Sequence, residues 1–413
     1  MDGADVISPT GRADFVNTTH LAGTPYALPT PSHDELASVL YPHQDDDDAE
    51  AVEKHAPVSR VLVLYTGGTI GSVASSNGYR PEPNFLVRFC SAQPTFHEGG
   101  EVPLTMPESS FGIKVWYEIW ERDPVLDSSA MDMDDWVDIA RIIQERYDDF
   151  DGFVVLHGTD TLCYTASALA FMLHDLRKPV VVTGAQIPIL QNRTDARDNF
   201  RNALLFAGHF DIPEVTVYFH NKLFRACRAS KVDASGFEAF SSPNYPVLAQ
   251  VGIGIRIHWD RILSPPLPSK PLKVHTHMET QVGILRLFPG ITTALIEVLL
   301  RSLKGVIVQS FGSGNVPITQ PGLLDAFRAA VDRGVVIVNI TQCLVGSVNT
   351  DYEAGRLLAH TGVVCGHDLT TEAALTKLSS LLGQHTQGSL SLAQVKTLMS
   401  TSLAGELTSD PDS

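Results

Sequence analysis

Gly152-Phe153-Val154-Val155-Leu156-His157-Gly158-Thr159-Asp160-Thr161-Leu162 is the stretch on which the reading of the fold turns. It opens with five residues that carry no polar side chain, the composition of a strand buried on both faces. Leu162, Ala166, Leu169, Leu173 and Leu176 then follow at spacings of four, three, four and three, which predicts one helix face. Pro179 closes that helix, and Val180-Val181-Val182-Thr183 is strand again. Strand, helix and strand in this rhythm imply right-handed βαβ units and a mainly parallel sheet.

The pattern extends in both directions. Upstream, Val61-Leu62-Val63-Leu64-Tyr65 is a buried-strand run ending in Thr66-Gly67-Gly68, and Asp134 opens a helical period through Trp136, Ile139, Ile142 and Arg146. Downstream, Asp195 is placed to N-cap a helix carrying Phe200, Ala203, Leu204 and Ala207, and Val215-Thr216-Val217-Tyr218-Phe219 is a further strand. Residues 264–281 are proline-rich and poor in core residues, which predicts a linker. Beyond it, 305–308 and 335–338 are strands, with helices near 291–303, 320–333 and 370–382. The expected fold is α/β. A larger N-terminal domain over 58–263 holds a mainly parallel sheet flanked by helices, and a smaller C-terminal α/β domain spans 282–408.

Charge is unevenly placed along the 413 residues. Residues 1–57 hold 11 acidic side chains against Arg12 and Lys54, and so supply more than half of the net −17. With six prolines, the run Asp45-Asp46-Asp47-Asp48 and no apolar period, this segment is expected to be a flexible acidic tail. Trimming at Val58 is expected to cost little activity. A net negative chain argues against a phosphate-backbone binder and against a polybasic membrane-surface protein, so neither nucleic acid nor membrane is an expected partner. No segment approaches the roughly 20 apolar residues of a membrane span, and Met1-Asp2-Gly3-Ala4-Asp5 lacks the basic and apolar regions of a secretory signal. Five cysteines (Cys90, Cys163, Cys227, Cys343 and Cys365), none in a CxxC spacing, fit free thiols in a cytoplasmic setting.

In open parallel sheets, chemistry gathers where strands deliver their C-terminal ends. Tyr65-Thr66-Gly67-Gly68-Thr69-Ile70-Gly71 is one such exit, neither a Walker loop nor a GxGxxG turn, and on its own it reads equally as a tight structural turn. His157-Gly158-Thr159-Asp160-Thr161 is another. One helix cap needs one oxygen, whereas three polar side chains crowd this turn. His157 fits an oriented core histidine, because no second His or Cys has ligand spacing with it. His275-Thr276-His277 in the linker is a poor metal candidate, and no metal or cofactor is expected. Arg225-Ala226-Cys227-Arg228-Ala229-Ser230-Lys231 is either a basic surface loop or the source of a lysine that shuttles protons. Phe311-Gly312-Ser313-Gly314-Asn315 is a ligand loop or another turn. There is no GxSxG elbow, so a serine-esterase site is disfavoured. What remains suits amide or ester hydrolysis through a threonine, without naming a substrate.

Taken together, TGGTIG at 66–71, HGTDT at 157–161, Asp127-Ser128-Ser129, Lys231 running to Phe240, Thr183–Pro188 and Thr376-Lys377-Leu378 resemble the L-asparaginase family, in its type I cytosolic branch. The resemblance covers about residues 58–408. It implies hydrolysis of L-asparagine to L-aspartate and ammonia, with glutamine a weak substrate at most. It also implies Thr69 as nucleophile, Tyr79 as its assistant, a Thr159–Lys231–Asp160 relay, and Asp127, Ser128 and Ser129 grasping substrate together with Thr159 and Asp160. The physics agrees, since a threonine hydroxyl needs a proton acceptor and a zwitterionic substrate needs both an anion and donors. A homodimer or homotetramer is also implied. One departure stands out. Ser230 and Cys343 match positions of the family's asparagine-activated members, but Gln309 stands where they carry an arginine. Activation by that route is therefore expected to be weak or absent.

Two rival readings use the same scaffold. An asparaginase-like subunit of a tRNA-dependent amidotransferase would carry a folded β domain first, and residues 1–57 show no alternating strand pattern. A non-catalytic amino-acid sensor would have little reason to keep Thr69, Thr159, Asp160 and Lys231 together.

Overall fold

Val61 through Tyr65 are each 1% exposed or less, so their strand must be covered on both sides. Side chains alternate across a strand, and the two sets enter different layers. Val61, Val63 and Tyr65 pack with the helices Phe85–Ala92 and Ala196–His209, while Leu62 and Leu64 pack with Met133–Glu145 and Leu162–Met172. The structure is a computed structural model that describes residues 57–76, 78–100, 103–108, 111–349 and 351–408. The acidic tail read over 1–57 lies outside the described residues, apart from Pro57.

The large sheet has nine strands. Their order is Ile255–Ile257, Ala249–Val251, Lys222–Arg225, Val215–Phe219, Val180–Thr183, Gly152–Leu156, Val58–Gly67, Lys114–Leu126 and Leu104–Thr105. The five from Val215–Phe219 to Lys114–Leu126 run parallel. The strands flanking them are antiparallel. A second, four-stranded parallel sheet follows, in the order Val282–Arg286, Gly305–Ser310, Val336–Thr341 and Val364–Cys365. Helices Thr293–Ser302 and Leu323–Asp332 cover one face of it, and Thr371–Thr386 with Leu392–Met399 cover the other. The expected α/β architecture, a larger N-terminal sheet unit and a smaller C-terminal one, is the one observed. Phe171 and Cys227 join the core beneath the second sheet, so the two sheets share packing within one compact unit.

Local departures have local causes. The helix expected to run through Leu176 stops at Met172. Leu173–His174 instead pair antiparallel with Lys273–Val274 of the proline-rich 264–281 segment. That helix is buried all round, not on one stripe, because the large sheet lies on one side and Thr371–Thr386 on the other. The helix expected from Asp134 begins at Met133, where Asp132 and Asp135 form a capping box. Asp195 occupies the N-cap position of Ala196–His209, yet its side chain makes no cap bond. Among the described residues no helix is long and apolar enough to cross a membrane.

Candidate active site

Parallel pairing brings the C-terminal ends of four strands to one edge. Tyr65 lies beside Leu156, Gly67 beside Leu126, and Leu156 beside Thr183. The segments 66–71, 127–129, 157–161 and 184–188 therefore meet there. Thr66 ties two of them by donating its hydroxyl to Leu156 O at 3.0 Å, and Ile189 N donates to Ile70 O at 3.1 Å. The first and third segments meet at Gly68, whose φ is +86° and whose absent Cβ would lie 2.5 Å from both Cα and N of Gly158. Only glycine fits so near another backbone. Thr69 and Thr159 are the residues that follow these two touching glycines, so the two threonine motifs are held against each other by backbone contact.

Thr159, Asp160 and Lys231 meet directly. Lys231 sits on the short strand Ser230–Lys231, paired with Phe240–Ser241. Its Nζ donates to Thr159 Oγ1 at 2.9 Å and to Asp160 Oδ1 at 2.6 Å. Lys231 is 18% exposed and Asp160 69%, so the pair lies at the mouth of the site, wet on the carboxylate side. Thr159 Oγ1 donates to Gln186 Oε1 at 3.2 Å, and Gln186 Nε2 donates to Gly236 O at 3.0 Å. Gln186 is thus the hinge between the Thr159 turn and the loop after Lys231.

Behind this hinge stands Asp195. Its carboxylate accepts from Gln186 N, Ile187 N and Asn199 Nδ2 at 3.0–3.2 Å, which is why it caps no helix. Asn199 Nδ2 also donates to Gly184 O, and Asn199 Oδ1 accepts from His220 N. The positioning of this loop by Gln186, Asp195 and Asn199 was missed from sequence. The Thr183–Pro188 run was the available signal, and it carried no assigned role.

His157 is fully buried. Its Nδ1 faces Gly158 O at 2.6 Å and its Nε2 faces Thr165 Oγ1 at 2.8 Å, which fixes a neutral ring with the proton on Nδ1 and Thr165 donating to Nε2. Burial pushes its pKa down to about 4. It is the oriented core histidine expected, fastening the HGTDT turn to the helix that follows.

The other candidates are arranged less tightly. Asp127 folds onto its own turn, accepting from Ser129 N at 2.8 Å and Ser129 Oγ at 2.7 Å, and these bonds hold its carboxyl below the usual range. Ser128 is buried against Gly158, and its carbonyl accepts from Thr161 Oγ1 at 2.7 Å. Thr69 is half-buried on a single turn of 3₁₀ helix, Thr69–Gly71. Tyr79 stands apart on the hairpin Ser72–Ser75/Gly78–Pro81, 57% exposed, its hydroxyl accepting from Gln191 Nε2 at 3.2 Å. The structure therefore unites Thr159, Asp160 and Lys231, sets Thr69 and Ser128 against them through glycine, and leaves Tyr79 outside. Ser230 Oγ donates to Glu372 Oε2 at 2.9 Å. Gln309 bonds Thr371 at 2.7 Å and accepts from Arg286 Nη1 at 3.3 Å, and Cys343 is exposed. No grouping of His, Cys, Asp or Glu among the described residues could hold a metal ion.

Comparison with known proteins bears on this geometry. Residues 60–263 match the family model described as Asparaginase, N-terminal, and 281–399 match the Glutaminase/Asparaginase C-terminal domain. L-asparaginase 1 of Escherichia coli K12 is 44% identical over 354 residues, covering 85% of this chain and 98% of that protein. The 60 kDa lysophospholipase of Homo sapiens is 46% identical over 362 residues, covering 85% of this chain and 62% of that protein. This chain spans about three fifths of the length of the first curated relatives it matches. Among solved structures, L-asparaginase I of Vibrio cholerae superposes with a TM-score of 0.74 at 42% identity, covering 85% of this chain and 99% of that one.

Proposed function

The chain belongs to the asparaginase family, and from that premise we propose that it hydrolyses L-asparagine to L-aspartate and ammonia. The observation that carries the proposal is the lysine that bonds Thr159 and Asp160 at once, beside the Gly68–Gly158 contact. In this reading Asp160 receives the substrate's α-ammonium through its exposed carboxylate, and Ser128 with nearby backbone amides receives the α-carboxylate. Asp127 and Ser129 shape that end of the pocket. Thr69 Oγ attacks the side-chain amide carbon, and its proton passes through an adjacent acceptor to the amide nitrogen, which departs as ammonia when the C–N bond breaks. Water, oriented by Thr159 in its bond to Lys231, then opens the ester, and one of its protons returns to Thr69 Oγ as aspartate leaves. Tyr79 assists Thr69 once its hairpin closes over the substrate. Developing negative charge on the amide oxygen is met by fixed N–H donors of the glycine-rich turn.

Glutamine is a weak substrate in this reading, because one extra methylene in a fitted pocket is worth about 1–3 kcal/mol of discrimination. We also place the enzyme in the cytosol as a homodimer or homotetramer, in keeping with its five unpaired thiols and with the family. Light scattering on the purified protein would test the assembly.

The direct test is ammonia release from asparagine by the wild type, Thr69→Ala and Thr159→Ala. Both variants should lose at least about 10³-fold in kcat, the scale on which removing one member of a catalytic set is felt. Full activity in either overturns the mechanism. Release of fatty acid from a lysophospholipid without turnover of asparagine would overturn the substrate assignment. So would turnover that requires a partner protein and charged tRNA.

A further inference from the structure

Behind Lys231 the chain is gripped in a way that its own two bonds to Thr159 and Asp160 do not require. Cys227 Sγ donates to Ala404 O at 3.3 Å, and Arg228 Nε donates to Gly405 O at 2.8 Å. Arg228 Nη1 reaches Asp368 Oδ2 at 2.6 Å and Nη2 reaches Thr408 Oγ1 at 3.3 Å, with the side chain 1% exposed. Asp368 also accepts from Thr408 N at 3.0 Å and from its hydroxyl. Ser230 is held by Glu372. Three of the four residues before Lys231 are thus fixed by groups from residues 368–408.

The strap that does most of this, 401–408, is itself held by a buried ion pair. Lys377 and Glu406 are both 0% exposed, with Nζ 2.6 Å from Oε1. Lys377 spends its other donors on Met399 O at 3.2 Å and Thr401 O at 2.6 Å. Glu406 folds the strap back on itself by accepting from Leu403 N at 3.0 Å and Ala404 N at 2.7 Å. Gly405, at φ +78°, lies so close under Arg225 that a Cβ would come 2.5 Å from Nη1, so the strap is seated without slack. Buried ion pairs contribute little net stability compared with apolar packing and are retained in some systems for conformational specificity. Here the specificity has an evident object, the backbone that carries Lys231.

We propose that the strap 401–408, set by the Lys377–Glu406 pair and delivered through Arg228, is a positioning element that fixes Lys231 at bonding distance from Thr159 and Asp160 together. The proposal rests on Lys231 being catalytic. Lysine has four rotatable bonds and, unaided, can satisfy one partner while leaving the other. A displacement of about 1 Å at a reacting group costs on the order of 10²-fold in rate.

The test uses the full chain and three substitutions, Glu406→Gln, Thr408→Val and Lys231→Met. For each, kcat and KM for asparagine are measured across pH at a temperature well below melting. Lys231→Met shows whether turnover depends on the lysine, and the wild-type pH profile of kcat supplies the limb against which the strap variants are compared. Glu406→Gln is expected to lower kcat by at least about tenfold with KM changed less than threefold, and to shift that same limb. Thr408→Val, which removes only the hydroxyl between Arg228 and Asp368, should do so by about threefold and keeps the test open if the first variant fails to fold. Wild-type kcat and an unmoved pH limb in the folded strap variants, beside an inactive Lys231→Met, would overturn the positioning role alone. Wild-type activity in Lys231→Met would overturn the catalytic reading of the lysine, and this proposal with it.

Discussion

Replacing Gly68 with alanine isolates what holds the two threonine motifs together. The substitution adds one methyl group. At φ +86° and ψ 179°, a region essentially reserved for glycine, an L-residue costs about 1–3 kcal/mol in backbone strain. The new carbon would also sit 2.5 Å from Gly158 Cα, where carbon contacts settle at about 3.5–4.0 Å, so the 66–71 and 157–161 turns must part by about 1 Å. Overpacking of this kind costs about 1–3 kcal/mol more. A catalytic effect of comparable size is expected, because the same parting moves Thr69 about 1 Å away from Thr159. A misplacement of that size costs on the order of 10²-fold, or about 2.7 kcal/mol of transition-state stabilisation. The assay is continuous ammonia release with asparagine, paired with thermal unfolding. Gly388→Ala is the control, since it carries φ +77° with nothing within 4 Å of the added carbon. It should lower the melting temperature by the strain alone and leave kcat unchanged. The reasoning fails if Gly68→Ala keeps kcat/KM within threefold of wild type.

Two further outcomes follow from the same geometry. Asp195→Ala strips the acceptor from Gln186 N, Ile187 N and Asn199 Nδ2 and should destabilise the fold by about 2–4 kcal/mol in urea unfolding, with a fall in kcat as Gln186 loosens from Thr159. His157 is held neutral down to about 4, whereas an unfolded histidine takes its proton near 6.5, so the unfolded state binds more protons in between and stability falls as pH drops through that window. The loss reaches about 3 kcal/mol at its lower end. His157→Gln should flatten that part of the stability–pH curve, and an unchanged slope between pH 7 and 4 would count against the buried neutral ring.

The parts of the fold legible in the sequence are those where burial is uniform along a short run. Gly152–Leu156, Val180–Thr183 and Val215–Phe219 were each read with their observed limits, because apolar runs bounded by Gly, Pro or polar residues leave little choice. The same uniformity misled at Leu162–Leu176. A helix apolar all round carries no phase, so nothing marked its end at Met172. The strand Lys114–Leu126 was unread although Val115 and Tyr117 are buried while Trp116 and Glu118 are exposed, a period of two that was there to be counted. In the site, Thr159, Asp160 and Lys231 were legible as residue types. Asp195 was not, because an acidic residue before a helix reads first as a cap and its real partners belong to the preceding loop.

Charge shows why position matters more than composition in this protein. Two of the residues proposed to act on substrate stay wet, Asp160 at 69% exposed and Tyr79 at 57%, whereas Lys231 is 18% and Thr159 8% exposed. The residues proposed to hold them are dry, with Arg228 at 1% and Lys377 and Glu406 at 0%. Removing an ion from water costs several kcal/mol unless every donor and acceptor is met, so a chain gains nothing from such pairs where a leucine would pack as well. In sequence Lys377 stands out only within the Thr376-Lys377-Leu378 stretch of the family resemblance, and nothing ties it to Glu406, 29 residues further on. Only the second sheet, by laying Thr371–Thr386 against the segment before Lys231, turns them into a buried pair. The tail that supplies more than half of the net charge has no part in the proposed chemistry. The charges that decide it are a lysine and an aspartate 71 residues apart, joined at the mouth of the site and braced from behind by ions that water does not reach.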